Sequence, residues 1–361
     1  MAGVVVVTGC TTGLGYEAAK ALAGAGHTVV LANRNVAASH AAAAAIAAAT
    51  GAPRDALLVL PLPLDLCDLG SVRAFAAALR AALGARGVAA LVNNAGLGTQ
   101  RILKPTAAGY DPIFCTNHLG HMLLSLLLLP ALSRGAVVLN VSSEVHDPAQ
   151  DTGALDPQQA WPDSDEAYGR VLARGAPVLG ESALVSGFRR YSRSKLCNVL
   201  FTQDLARRLA GAPPPGADAE ARAAAKALPG GAACALPNAT SLRVLAMNPG
   251  LMLDTSFNSN SFGRVMGALL RLLAPLLRLT PLRRIMRTAA ASGALLAQVA
   301  TGRRHGDAPS GTYFSSDGEP QAASAFARSA RGVAVAAPDL WRHSLAWAAV
   351  TPAELRDADC F

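Results

Sequence analysis

Val4-Val5-Val6-Val7-Thr8-Gly9-Cys10-Thr11-Thr12-Gly13-Leu14-Gly15 is the stretch on which the fold is read. Four β-branched residues form a short buried strand, and an amphipathic pattern from about Tyr16 to Ala25 forms a helix. The glycines between them permit a tight turn and a close backbone approach to a pyrophosphate, which would lie on the positive end of that helix. Further along, strand-like runs at Thr28–Ala32, Ala56–Leu64, Leu91-Val92, Ala136–Val141 and Leu242–Met247 alternate with helical patterns. The helices fall at His40–Thr50, Ser71–Leu83, Tyr110–Leu132 and Tyr191–Leu209, with a later one near Ala289–Thr301. Repeated β-α-β units predict an α/β fold, a doubly wound parallel sheet with helices on both faces. Gly311–Phe314 reads as a last strand and Asp339–Val350 as a terminal helix.

The chain has 361 residues, 52% hydrophobic and 16% charged, enough for one large domain. We expect a single domain over 1–361. Insertions are expected at 144–190 (a lid or active-site loop) and 211–240 (a surface loop), then a substrate lid at 251–290 and a C-terminal extension at 300–361. The formal charge of +8 suits an anionic cofactor or an acidic membrane surface. No nucleic-acid partner is expected, because no basic run is interleaved with aromatics, which are 5% of the chain. The six cysteines are scattered without zinc spacing, so no metal is expected and the thiols are read as free. The N-terminus enters Val4–Val7 directly with no basic leader. That predicts a cytoplasmic protein; a plastid location would require a leader missing from this sequence.

Tyr191 and Lys195 stand four apart and share one helix face. An ammonium beside a phenol favours the phenolate, and such a pair can exchange a proton with a carbonyl or alcohol oxygen. The end of the second strand selects the cofactor. An acid there would bind the ribose 2′-hydroxyl of NAD, but the chain offers Ala32-Asn33-Arg34. Arg34 can meet a 2′-phosphate, so NADP(H) is expected. Asp65-Leu66, ending the third strand, is placed to touch the adenine.

Thr8–Gly15, Asp65, Asn93-Asn94-Ala95-Gly96, Asn117, Ser143, Tyr191/Lys195 and Asn248-Pro249-Gly250 follow one another in an order that resembles the short-chain dehydrogenase/reductase family. The resemblance covers most of residues 3–250 and implies a Rossmann-type fold and NAD(P)-dependent oxidoreductase chemistry. It implies that Tyr191 is the acid/base, that Lys195 lowers its pKa and holds the nicotinamide ribose, and that Ser143, not Ser142, binds the substrate oxygen. Asn117 would hold a water in a proton relay. Thr8, Gly9, Thr11, Thr12, Gly13, Leu14 and Gly15 would hold the pyrophosphate, Asn94, Ala95 and Gly96 the ribose, and Pro249 and Gly250 the nicotinamide. The family's threonine four residues after that glycine is replaced by Asp254.

Within the family, two groups are similar to this chain. Thr116–His121, Ser194–Asn198 and the insertion before Tyr191 resemble light-dependent protochlorophyllide reductases, although Asn93 stands where that group has cysteine. Asn93–Gly96 and Tyr313–Asp317 resemble the retinol-dehydrogenase-like reductases. The preferred expectation is dark hydride transfer to or from a hydrophobic carbonyl or alcohol, retinal-like or similar. The alternatives are light-driven reduction and a non-catalytic NADP-binding scaffold. His118 and His121 are read as packing residues and Cys197 as an inert thiol. Arg264, Arg271, Arg278, Arg283, Arg284 and Arg287 lie in a leucine-rich stretch without acids, read as a pocket lid with peripheral membrane contact through 264–287 as the alternative. The apolar run around Leu123–Leu129 suits either the core or a homodimer interface.

Overall fold

A computed structural model describes residues 2–98, 104–150, 156, 158, 161–177, 180–213, 238–252 and 286–357. The strands are β1 (Val4–Thr8), β2 (Thr28–Ala32), β3 (Leu57–Leu58), β4 (Val88–Asn93), β5 (Leu132–Val141), β6 (Arg243–Met247), β7 (Tyr313–Phe314) and β8 (Pro320–Gln321). They form one sheet in the order β3-β2-β1-β4-β5-β6-β7-β8, parallel except for the β7–β8 pair. The chain therefore winds outward in both directions from the β1/β4 junction, where a cleft opens at the carboxyl ends of the strands.

Seven principal helices cover the faces: α1 (Gly13–Gly24), α2 (Val36–Thr50), α3 (Leu69–Leu83), α4 (Pro112–Ala131), α5 (Ala183–Leu209), α6 (Ala289–Ala300) and α7 (Ala337–Trp347). Strand periodicity divides the core between them. Val4 and Val6 point into the cluster under α3, α4, α5 and α7, while Val5 and Val7 point into the cluster under α1, α2 and α6. Both faces of the central strands are thus buried, which explains their continuous apolar sequence.

Several elements differ from expectation. The third strand pairs only through Leu57–Leu58 instead of reaching Leu64; Pro61 and Pro63 lack the N–H a ladder needs. Helix α4 is not a regular α-helix, because Cys115–Leu119 widens into a π turn. Its residues Leu123, Leu124, Leu126, Leu128 and Leu129 are all buried, so this run is core and not an exposed dimer face. It is also the one described helix long and apolar enough to cross a membrane, and most of it is enclosed by protein. The catalytic-motif helix begins at Ala183, capped by Ser182, so Tyr191 lies in its third turn and not at its start.

The 144–190 insertion is more than a surface lid. Trp161, Tyr168, Val171 and Leu172 are buried in the core. The Tyr168 ring stacks on His343 of α7 at 4.7 Å, and the Trp161 indole donates to the Tyr168 hydroxyl at 3.2 Å. Helix α7 also covers α5, with Trp341 stacked on Phe201 at 6.0 Å and Arg208 lying 4.2 Å over the Trp341 ring. The expected loop at 211–240 lies outside the described residues from 214 to 237. The leucine-rich lid likewise lies outside from 253 to 285, which takes in five of its six arginines and Asp254.

Gly120 lets α4 approach the segment between β3 and α3: a Cβ there would collide with the Leu66 carbonyl oxygen. Gly120→Ala should destabilise the fold by about 1–3 kcal/mol by overpacking, read from the urea midpoint at unchanged slope.

Candidate active site

Thr8 ends β1 and fixes the cleft. Its hydroxyl accepts the backbone N–H groups of Asn94 and Ala95, each at 2.9 Å. Both lone pairs are then occupied, so its own proton goes to His121 Nε2 at 2.9 Å, a closer partner than the Val92 carbonyl at 3.4 Å. His121 must therefore carry its proton on Nδ1, which faces the Asn117 carbonyl at 3.3 Å. Burial holds this imidazole down to about 3, so it stays neutral.

The glycine turn is built on this anchor. Gly9 has φ +64°, and a Cβ there would meet Ala95 Cα at 2.7 Å. A Cβ on Gly15 would run into the Gly9 carbonyl and the Asn94 amide. Gly13, with φ +62°, opens α1, and Thr12 at the N-cap provides no side-chain cap hydrogen bond to it. Thr11 and Leu14 complete the turn. Glycine-lined backbone at a helix N-terminus without a side-chain cap fits a dinucleotide pyrophosphate.

Asn94 is turned inward, donating to the Thr8 carbonyl at 2.8 Å and the Gly9 carbonyl at 3.0 Å, so its amide braces the turn. Asn33 braces it from the other side, accepting the Cys10 N–H at 2.6 Å and donating to Ser39 at 2.9 Å. Arg34 follows, exposed beyond the end of β2. Asp65 accepts the Cys67 N–H at 2.9 Å, a local turn, and Leu66 is buried beside it.

Across the cleft stand Ser143, Tyr191 and Lys195. Ser142 is buried and donates to the Lys195 carbonyl at 3.0 Å, whereas Ser143 shares a hydrogen bond with the Tyr191 hydroxyl. Lys195 Nζ donates to the Val141 carbonyl at 3.0 Å and lies 5.6 Å from the centre of the Tyr191 ring. Gly96 faces Asn117 and Lys195. Asn117 holds both sides: Oδ1 accepts the Leu97 N–H at 2.8 Å, and Nδ2 donates to Ser194 Oγ at 2.9 Å. Its backbone carbonyl lies within the π turn and is met by His121 Nδ1 at 3.3 Å. Gly250, with φ +81°, donates its N–H to Asn248 Oδ1, and the Pro249 carbonyl accepts from Ser292 at 2.7 Å.

Burial pushes the Tyr191 phenol up to about 12, and the Ser143 hydrogen bond holds it back. Lys195 is itself desolvated, its pKa brought down to about 8. His118 is neutral, brought down to about 3 by burial, and meets Ser344 of α7 at 3.0 Å. The buried Cys197 thiol is pushed up. Among the described residues no group of His, Cys, Asp and Glu could hold a metal. Asn93 is buried and donates to Ser125 at 2.9 Å and Asn140 at 2.8 Å, inside the sheet rather than in the cleft.

This geometry accompanies clear sequence similarity. Residues 3–152 match the family model for short chain dehydrogenase. Over those residues the chain is a match to the short-chain dehydrogenase/reductase family. Human retinol dehydrogenase 11 is 39% identical over 210 residues, covering 58% of this chain and 57% of its own length. Mouse retinol dehydrogenase 12 is 37% identical with the same coverage. The chain thus aligns with a little over half the length of these relatives. Among solved structures, an uncharacterized protein from Mycobacterium Paratuberculosis is 27% identical with a TM-score of 0.55, covering 96% of this chain and 93% of its own. The L-sorbose reductase of Gluconobacter frateurii, complexed with NADPH and L-sorbose, has a TM-score of 0.56 over 88% of this chain and 96% of its own; at 19% identity it shares the fold.

Lys195 also has a linkage signature. Its folded pKa near 8 lies below the unfolded value of 10.5, so the unfolded state binds more protons between those values and stability rises with pH there. Relative to Lys195→Met, the wild type should gain stability as pH rises from about 8 to 10.5, measured by denaturation at each pH; a constant difference would refute the buried, depressed lysine.

Proposed function

We propose that this protein is an NADPH-dependent oxidoreductase that moves a hydride to or from the carbonyl or alcohol carbon of an apolar molecule, with retinal-like aldehydes the leading class. The observation that carries the reading is the hydrogen bond between Ser143 and a Tyr191 phenol that burial keeps protonated, with Lys195 one turn along. The names of the retinol dehydrogenase relatives supply the substrate class.

When bound, the nicotinamide cofactor supplies or accepts the hydride; the chain's own residues supply orientation and the proton. Thr8 to Gly15 would hold the pyrophosphate, with Asp65 and Leu66 at the adenine. Asn94, Ala95 and Gly96 would line the ribose, and Pro249 and Gly250 the nicotinamide. In the reducing direction negative charge grows on the substrate oxygen. Ser143 donates a hydrogen bond to it and Tyr191 delivers the phenol proton, general acid help worth ~10²–10⁴-fold. A phenol that holds its proton up to about 12 is suited to act as the acid in the reducing direction. Lys195, poised near 8, would return the proton to the tyrosinate. Asn117 fixes Ser194 and the Leu97 backbone beside it, and its carbonyl would hold the relay water. We place the protein in the cytoplasm, with the 264–287 stretch as a pocket lid and peripheral membrane contact through it as the alternative.

Tyr191→Phe should lower aldehyde reduction at least ~10²-fold while NADPH binding, followed by cofactor fluorescence, is unchanged; normal turnover in that variant would sink the mechanism. Arg34→Glu should lower NADPH affinity about tenfold or more by losing a charge-assisted contact, with little change for NADH. Equal losses for both cofactors would remove Arg34 from the 2′-phosphate.

A further inference from the structure

The C-terminal segment lies far from the motifs in sequence, yet one buried side chain joins it to Ser143. His146 Nδ1 lies 2.7 Å from the Ser143 carbonyl oxygen, and its Nε2 lies 3.2 Å from the backbone nitrogen of Ser324. A carbonyl only accepts, so Nδ1 must carry a proton. A backbone N–H only donates, so Nε2 must be bare. The two partners admit one form of the ring, the neutral Nδ1–H tautomer.

The surroundings hold the ring there. It is 1% exposed and lies against Tyr313 of β7 at 4.8 Å. The neighbouring carboxylates are engaged elsewhere: Glu144 accepts from Asn248 at 2.7 Å, and Asp147 accepts from Ala149 and Gln150. Ser324 is fully buried and caps the short helix Ala325–Arg328, so the donor sits on a fixed element. On the other side, Ser142 is pinned to the Lys195 carbonyl. The Ser143 peptide is therefore held from one side by α5 and from the other by the C-terminal segment.

We propose that His146 is a positioning residue that couples the Ser324 backbone to the Ser143 hydroxyl. The C-terminal segment would then be part of the apparatus that orients the proton-donating pair. The inference rests on the oxidoreductase reading for its effect on turnover, but not for its tautomer.

Ser324 has φ −50°, which proline can adopt, so Ser324→Pro removes the backbone donor, and Ser324→Ala controls for the lost cap. In the full-length protein, Ser324→Ala should keep kcat within about twofold. Ser324→Pro should lower kcat about tenfold or more, with the KM for NADPH and the melting temperature matching the alanine variant. Where the proline variant fails to fold, His146→Leu should show the same loss of kcat with NADPH binding retained. Equal kcat in the two Ser324 variants, or wild-type kcat in His146→Leu, would overturn the proposal. Independently of any substrate, ¹⁵N NMR at neutral pH should find His146 in wild type with its proton on Nδ1 and Nε2 unprotonated. A proton on Nε2 would overturn the coupling. A chain with this tautomer but no turnover of any carbonyl would refute the oxidoreductase reading, while the tautomer would uphold the coupling geometry.

Discussion

The cleft depends on the hydrogen-bond capacity of one hydroxyl, Thr8 Oγ1. A threonine oxygen has two lone pairs and one proton. Here the lone pairs take the amides of Asn94 and Ala95, and the proton goes to His121. That valence joins β1, the end of β4 and α4 at the point where the strand order reverses. The glycine turn, the Asn94 brace and the orientation of Asn117 all follow from it. A serine would offer the same bonds but lose the methyl's packing; a valine would take this partner from the Ala95 amide and from His121 Nε2.

A second constraint is desolvation. Tyr191, Lys195, His118, His121 and His146 are displaced from their ordinary ionisation by burial before any partner acts. Each is pushed toward its neutral form. The site thus sets a phenol that keeps its proton and a lysine poised near 8 among neutral imidazoles. Such an arrangement suits donation to an oxygen that becomes negative only during reaction. The Tyr191–Lys195 spacing puts both groups on one helix face; the fold adds that the Lys195 ammonium also donates to the Val141 carbonyl.

The C-terminal third matters more than its composition suggests. Residues after Gly250 carry none of the catalytic or cofactor motifs, yet α6 packs on α1, and α7 stacks on both α5 and the 144–190 insertion. Gly293 permits the first contact, since a Cβ there would meet Glu17 and Ala18 at under 3 Å. Trp161, Tyr168, His343 and Trp347 make the second an aromatic seam. The 144–190 stretch is therefore tied into the core through Trp161, Tyr168, Val171 and Leu172.

Local sequence by itself determined the parallel sheet, the glycine turn and the Tyr191/Lys195 helix. Each rests on a short-range pattern: β-branched runs, a turn needing φ above zero, and a four-residue helical spacing. The absence of an acid after β2 was equally legible. Tertiary structure alone decided that Asn33 and Asn94 are braces, that Ser142 points inward, and that His121 and His146 are fixed in one tautomer. Partners such as Cys10, Lys195, Thr8 and Ser324 lie from 23 to 178 residues away, and a side chain's protons are assigned by what it faces. The short third strand lay between these cases: Pro61 and Pro63 were visible in the sequence, but only the sheet showed which N–H groups were needed.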